Sequence, residues 1–478
     1  MRRRRWMVGI LLGFLVGACL ALAGMQDSGV ADLAQLRVDL DEARRFAHVT
    51  FVEMQTLETP SLTCCEENDA SWARAHVGNV FTLYDVTTEP LFYVFMVEDA
   101  GNAVGRIWVS ANRLIGPAVA AVQMGQAEPW DVESWDELLR VRLEEVGFDY
   151  SDAIEVLPII YAYPRIGMMA VLADPFDGTH RFIIDVQEGV LVEPTLDGPY
   201  EGVDETEGTV GSAPWVEFLG AIPEDVWQER FERWDLDARF LEAVDAEMTA
   251  AGTQLGQLAY EPLGEAQLEL AKELFQQLTD GYKLVVAGRG LPCSNCKNNV
   301  HTYCQEKGYY CSIATAQMIA AFYGVHHTQH HIQKLSKTVH PPTTYPDLPG
   351  TSPLTQLDYY TASLAQGGLG KAGSTVYTVK WNLVWNELEA DRPVHTIIRT
   401  RKANSTEFLP GGHCRAAFAA KEYTAVPTGA GKQWLGICDP WKYATGCSCV
   451  WEDWDLMKPV YFPKAASMQY ALNIHVKP

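Results

Sequence analysis

Four residues in the last third of the 478-residue chain have the types and the order that thiol catalysis requires: Gln305, Cys311, His413 and Asp439. A cysteine at the amino terminus of a helix, facing an imidazole, has its pKa lowered from about 8.5 into roughly the 3.5 to 7.5 range, so the nucleophilic thiolate forms. We therefore predict Cys311 as nucleophile, His413 as base, Asp439 as the carboxylate that orients the imidazole, and the Gln305 amide as oxyanion donor.

Local patterns predict the elements that must position these residues. Residues 312–323 have helical spacing of apolar residues, and Gly324 is a natural helix end. After Pro393 the pattern changes to strands, in VHTIIRT, CRAAFAA, QWLGICD and MQYALNIHV. Two glycines precede His413 and leave room for substrate, and Asp439 lies one hairpin further along the chain.

The segments QEKGYYCSIATAQMIAAFYG, GGHCRAAF and GICDPW resemble motifs of the papain-like cysteine peptidases, especially the group akin to bacteriocin-leader peptidases and staphopains. The resemblance covers residues 301 to about 455. It implies a papain-like fold over residues 291–478, in which a helix carrying the nucleophile packs on an antiparallel sheet carrying the histidine and the aspartate. It also implies a peptide or protein substrate, no cofactor and no nucleic-acid partner, and it assigns the same roles to the four residues named above.

Three positions depart from the family pattern. Ser312 follows the nucleophile where relatives often carry Trp or Gly, and Cys414 and Cys438 directly flank His413 and Asp439. These departures leave the substrate preference open. Transport-coupled relatives carry a nucleotide-binding domain, whereas TGAGKQ lacks the residues of a Walker motif, so leader processing by a transporter is not expected.

The region before the predicted peptidase domain reads as α+β. We predict an α+β prodomain-like region over residues 25–200, an acidic helical connector over 201–290 with a linker at 200–211, and a boundary near Gly288. The strand-rich part weakly resembles prodomains of streptopain-like peptidases. The predicted helices are 31–47, 132–146, 224–234, 238–251 and 263–278, and the predicted strands are 80–85, 91–97, 103–110, 154–163, 168–172 and 181–186.

Charge divides the chain at the same place. Residues 25–290 contain 49 acidic and 16 basic residues, a net charge of −33, whereas residues 291–478 contain 12 and 17, a net charge of +5. Adaptation to high salt should acidify both parts alike. Opposite charges favour intramolecular docking of the acidic region on the catalytic domain. That region would then inhibit or chaperone the peptidase, or instead recognise substrate.

The first 23 residues have the layout of an export signal, with four arginines before an apolar run that ends in small residues. Cleavage after residues 21–23 is one reading, and a lipoprotein leader with a lipid anchor at Cys19 is another. An uncleaved anchor over residues 6–23 is a third. All three place the mature protein outside the cytoplasm, in an extracellular or cell-surface location.

Eight of the eleven cysteines lie from residue 293 onward, where an exported protein should form disulfides. A four-thiolate zinc site is the less favoured alternative, with candidate ligands Cys293, Cys296, Cys304, Cys447 and Cys449. Setting Cys311 aside leaves an odd number, so at least one other cysteine is free or pairs elsewhere. The histidines at 326, 327, 330 and 331 have a spacing that a metal could use, but a surface role is favoured.

Three functions follow from these observations. The favoured one is a secreted or surface-tethered endopeptidase made as a restrained precursor. A catalytically silent protein that binds peptides or cell-wall material on the same scaffold is the second. An amidase or transpeptidase, which changes the acyl acceptor, is the third.

Overall fold

The computed structural model describes most of the chain. The described residues are 33–57, 59–60, 62, 71–125, 130–163, 165–174, 178–187, 189–192, 219, 222, 224–252, 264–287, 302–340, 350–401, 412–426, 428–442, 447–458 and 467–478. The export signal with Cys19, the 200–211 linker and the boundary near Gly288 lie outside them and stay predictions. Residues 38–478 form one compact unit, and in the separate unit before Val38 the described part includes a short 3-10 helix, Leu33–Leu36.

Helices and strands alternate irregularly along the compact unit. Its helices are α1 (Leu40–Thr56), α2 (Val132–Glu145), α3 (Glu224–Ala250), α4 (Glu265–Leu278), α5 (Cys311–Phe322), α6 (Gln329–Leu335), α7 (Pro353–Thr361), α8 (Trp381–Glu389) and α9 (Trp454–Met457). Its strands before α5 are β1 (His76–Tyr84), β2 (Pro90–Asp99), β3 (Asn102–Ser110), β4 (Val119–Met124), β5 (Ala153–Ala162), β6 (Arg165–Asp174), β7 (Gly178–Asp185), β8 (Leu191–Val192) and β9 (Thr279–Val286). The later strands are β10 (Thr375–Thr378), β11 (Val394–Arg401), β12 (His413–Ala425), β13 (Ala430–Lys442), β14 (Cys447–Asp453) and β15 (Ser467–His475).

Within the described residues all fifteen strands belong to one sheet. Its order is β10-β15-β11-β12-β13-β14-β4-β3-β2-β1-β5-β6-β7-β8, and β9 pairs with β12 beyond the end of β11. The pairing is antiparallel except between β1 and β5. The α+β class is therefore confirmed, with a large antiparallel sheet, whereas the specific papain-like arrangement stays a prediction.

The sheet combines strands that precede and strands that follow the predicted boundary between the acidic region and the peptidase domain. Strand β14 pairs with β4 through Val450 and Gln123, and β9 lies along β12 through Val286 and Ala419. The two parts of the sequence thus share backbone hydrogen bonds in one sheet.

Most predicted elements match the structure, and two helices differ. The first helix begins at Leu40 instead of residue 31, because the Asp39 side chain caps it by accepting a hydrogen bond from the Asp41 N–H at 2.7 Å. The helices predicted at 224–234 and 238–251 are the single helix α3. Asp237, which falls in the expected break, stays helical because its buried carboxylate accepts a hydrogen bond from the Ala118 N–H at 3.0 Å.

Helix α5 is the centre of the larger hydrophobic core. Nine of its twelve residues are buried, and it packs on β11, β12 and β13. Ile313, Ala316 and Phe418 are fully buried in this contact. A helix enclosed in this way holds its first residue rigidly against the strand beneath it.

In the described part of the chain, no helix combines the length and the apolar composition that a membrane crossing needs.

Candidate active site

Cys311 is the first residue of α5. The preceding residue, Tyr310, is buried and accepts a hydrogen bond from the Ala314 N–H at 2.9 Å, which starts the helical hydrogen bonding at this point. The Cys311 side chain remains partly exposed and belongs to a free thiol. A thiolate here lies at the positive end of the helix dipole, and the first helical N–H groups have no acceptors within the helix.

His413 is the first residue of β12 and is nearly buried. It follows Gly412, whose φ of +151° suits glycine and where a Cβ would lie only 2.7 Å from the Ile398 carbonyl oxygen. The glycine is therefore needed for the close approach of β11 to β12. The expectation that the glycines before His413 leave room for substrate stays a prediction beside this role.

Asp439 is fully buried on β13 and contacts His413. Its Oδ1 lies 2.7 Å from His413 Nε2 and accepts a second hydrogen bond from the Trp441 N–H at 2.8 Å. A disulfide between Cys438 and Cys449 joins β13 to β14 directly beside it. The carboxylate is thus held by one main-chain hydrogen bond, on a strand that a disulfide ties to its neighbour.

The charges of Cys311 and His413 support each other. Hydrogen bonding from the Cys414 thiol is the largest cause that lowers the pKa of Cys311, and burial opposes it. The hydrogen bond and positive charge of His413 then help to hold the Cys311 pKa well below its ordinary value. Burial alone would lower the pKa of His413, but Asp439 and Cys311 outweigh it and raise the pKa to about 9. A thiolate–imidazolium pair is the favoured state between these two pKa values.

Cys414 is the residue that sequence reasoning noted only as a departure. Its hydrogen bond to Cys311 and its burial raise its own pKa well above the ordinary value, so it stays a neutral donor. Cys414 also contacts Ser312, whose hydroxyl donates to Gln356 Oε1 at 2.9 Å and lies 3.5 Å from His395 Nε2. The sequence showed only that a cysteine, Cys414, follows the predicted base His413. It did not show that the partner of Cys414 is Cys311.

Gln305 lies on the loop before α5. Its main-chain N–H donates to the carbonyl of Pro440 at 3.0 Å, which ties the loop to the segment carrying Asp439. Its side-chain Nε2 donates to the Gly308 carbonyl at 3.0 Å and keeps a second hydrogen for another acceptor. The structure thus places Gln305 next to the segment of Asp439 but gives its amide a local acceptor.

Four of the candidate metal ligands have other partners, and Cys293 and Cys296 lie outside the described residues. His327 Nδ1 lies 3.0 Å from the Tyr359 hydroxyl, and His331 Nε2 lies 2.7 Å from the Gly367 carbonyl oxygen. Cys304 and Cys449 are in disulfides. No group of three metal-ligating side chains occurs among the described residues.

Residues 297–447 match the model of the Peptidase_C39 like family, a span that contains Cys311, His413 and Asp439. The match supports a domain related to papain-like cysteine peptidases in this part of the chain. No curated protein matches the chain. The likeness to staphopains and to streptopain prodomains stays a prediction.

Proposed function

We propose that this protein is a cysteine endopeptidase in which Cys311, His413 and Asp439 form the catalytic triad. The family match indicates a cysteine-peptidase-like function with peptide or protein substrates. One observation carries the finer proposal: a free thiol at the head of a buried helix contacts an imidazole that is itself hydrogen-bonded to a buried carboxylate at 2.7 Å.

The proposed reaction follows from these contacts. The Cys311 thiolate attacks the carbonyl carbon of the scissile peptide, and the His413 imidazolium donates its proton to the leaving amine. The neutral imidazole then takes a proton from water as that water attacks the acyl-enzyme, which releases the carboxylic acid and restores the thiolate. Asp439 keeps the imidazole in one orientation throughout.

The oxyanion formed in each step needs hydrogen-bond donors. The main-chain N–H of Cys311 is at the helix terminus, and the second hydrogen of Gln305 Nε2 is the proposed partner donor. Removing one such donor in other enzymes costs about 100- to 1000-fold in kcat.

The deciding experiment compares wild type with Cys311→Ala on an unfolded protein substrate and with an epoxide thiol inhibitor. Peptide mapping must place the label on Cys311, because Cys414 is also a free thiol. Loss of both hydrolysis and labelling at position 311 is expected in Cys311→Ala, whereas Cys414→Ser, which removes the second free thiol but keeps a hydrogen-bond donor beside Cys311, should retain hydrolysis and the label on Cys311. Hydrolysis that persists in Cys311→Ala would refute the proposal.

Two alternatives are outcomes of the same assay. A protein in which Cys311 is bridged or unreactive and no peptide is hydrolysed would be a catalytically silent binding protein on a peptidase scaffold. Products that carry an added amine instead of a free carboxylate would identify an amidase or transpeptidase.

We also propose that the protein is exported and that its acidic region restrains the activity of the peptidase domain. The export signal and the opposite net charges of −33 and +5 support these proposals. Cutting the full chain at a protease site engineered between residues 201 and 211 should raise hydrolysis. Unchanged hydrolysis after a complete cut would favour a role in substrate recognition.

A further inference from the structure

A hairpin from the acidic region reaches the candidate active site through Trp441. Strands β5 and β6 form this hairpin, and its Arg165 guanidinium lies 4.1 Å from the centroid of the Trp441 ring. The main-chain N–H of Trp441 donates to Asp439 Oδ1, and the Trp441 ring meets the His413 ring edge-on with centroids 6.3 Å apart. Trp441 therefore contacts both members of the His–Asp pair on one side and Arg165 on another.

The guanidinium is held within its own hairpin. Arg165 is hydrogen-bonded to Tyr161, and the Tyr161 hydroxyl donates to Asp185. Tyr161 and Asp185 are fully buried, and Trp441 is only 2% exposed. A cation that is fixed over a buried aromatic face restricts the movement of that ring.

The same hairpin makes a second contact, which reaches strand β12 through Glu452. The Tyr163 hydroxyl donates to Glu452 Oε2 at 2.7 Å, and Glu452 binds Arg415 through two hydrogen bonds of 2.8 and 2.9 Å. Arg415 is two residues after His413 and therefore on the same face of β12. Because this ion pair is buried, loss of a hydrogen-bond partner is costly.

We propose that Arg165 is a positioning residue of the active site, which holds Trp441 against the hydrogen bond between His413 and Asp439. Tyr163 supports strand β12 through Glu452 and Arg415. The inference rests on the proposed function and deepens it, because it makes this hairpin a working part of the catalytic site.

The direction of the effect distinguishes positioning from simple charge repulsion. If Trp441 loosens, water competes for Asp439, the imidazolium of His413 loses stabilisation, and the His413 pKa falls. Removing a positive charge near His413 without any other change would raise that pKa instead. The pH range of the thiolate–imidazolium pair should therefore narrow from both ends, with the Cys311 step moving up and the His413 step moving down.

The test uses the full chain and the pH dependence of Cys311 alkylation by iodoacetamide, read by peptide mapping. Arg165→Ala should move each step by roughly half a pH unit to one unit. Arg165→Lys keeps the cation and should stay close to wild type. Arg181→Ala, which removes an exposed arginine from the neighbouring strand β7, is the matched control and should not change the profile.

Two results would overturn the inference: an Arg165→Ala profile that equals the Arg181→Ala profile, or a His413 step that moves upward. If Arg165→Ala does not fold, Trp441→Phe replaces it, because the smaller ring leaves the guanidinium less surface. An unchanged range in Trp441→Phe would also refute the inference. A narrowing pH range in a protein that shows no hydrolysis even after the chain is cut between residues 201 and 211 would refute the proposed function alone.

Discussion

The thiolate of Cys311 receives hydrogen bonds from two neighbouring residues of one strand. His413 supplies a positive charge, and Cys414 supplies a neutral thiol that is kept protonated by its own raised pKa. Behind Cys414, the Ser312 hydroxyl lies near His395, whose pKa burial lowers to about 3. His395 is therefore neutral at ordinary pH and adds no second positive charge to the site.

Replacing Cys414 by alanine should raise the pKa of Cys311, because the hydrogen bond that lowers it most is removed. In Cys414→Ala, the acidic limb of the pH profile of Cys311 alkylation should move to higher pH by about one unit. Cys414→Ser keeps a hydrogen-bond donor, so its acidic limb should lie between those of Cys414→Ala and wild type. The alkaline end is set by His413 near pH 9 and should change less. An acidic limb that is identical in Cys414→Ala and wild type would show that the thiol has no such role.

At this scale the sequence contained part of the site. Cys311, His413 and Asp439 could be proposed because each lies in a local motif with a recognisable neighbour, such as the two glycines before His413. The contact of Cys414 with Cys311 depends on how α5 lies across β12, and no local pattern encodes that. Arg165 precedes His413 by more than 200 residues and carried no signal at all.

The start of β12 fixes where His413 points. Gly412 combines a φ of +151° with a main-chain neighbour, the Ile398 carbonyl oxygen, that a Cβ would meet at 2.7 Å. Ile398 is also the register partner of His413 across β11 and β12. A shift at Gly412 would therefore pass directly to the imidazole.

Gly412→Ala should lower the free energy of unfolding by about 1 to 3 kcal/mol, because both the backbone conformation and the contact become unfavourable. Peptide hydrolysis should fall as well, since His413 moves relative to Cys311. Chemical denaturation gives the first value and the assay gives the second. Gly431→Ala on β13 is the control, because a Cβ there meets nothing within 4 Å and its φ is not positive. Equal stability of the two variants would contradict the argument.

Elements with strong periodicity and clear ends were predicted well. The spacing in 312–323 and the stop at Gly324 gave α5 almost to the residue, and Gly324 has the positive φ of +75° that a helix end of this type uses. The two helices predicted at 224–234 and 238–251 leave residues 235–237 between them, whereas α3 continues through these residues. There Asp237 binds Lys432 and the Ala118 N–H, which are distant in the sequence, and Arg233 on its own helix.

On the scale of the whole molecule, the acidic region and the predicted peptidase domain share a sheet and several buried charges. Arg233 lies 3.2 Å from Asp453, and Lys421 lies 3.1 Å from Glu53, with each pair joining α-helices of the acidic region to later parts of the chain. Charge composition indicated opposite signs but could not show that acidic and basic partners occur on both sides. These pairs should hold the two fragments together after a cut between residues 201 and 211, so the expected rise in hydrolysis would come from loosening of the acidic region and not from its release.

Removing the Lys421–Glu53 ion pair tests whether helix α1 unfolds together with the sheet. Lys421 is fully buried on β12, and its ammonium also contacts Thr59 Oγ1 at 3.2 Å. Lys421→Met leaves the Glu53 carboxylate buried without its cation, which typically costs about 3 to 5 kcal/mol. The double variant Glu53→Met/Lys421→Met removes both charges and should recover most of that loss.

The stability of wild type and of these variants is measured by denaturant unfolding of the full chain, followed by far-UV circular dichroism and by tryptophan fluorescence. If α1 and the sheet form one cooperative unit, both signals should move together in Lys421→Met. Lys283→Met breaks the more exposed pair with Glu422 at 3.4 Å and should change stability by no more than about 1 kcal/mol. If instead an early transition separates from the main one in Lys421→Met and only that transition moves, the acidic region detaches while the catalytic part stays folded. That result would indicate that the acidic region is a removable restraint and that the active site keeps its structure without it.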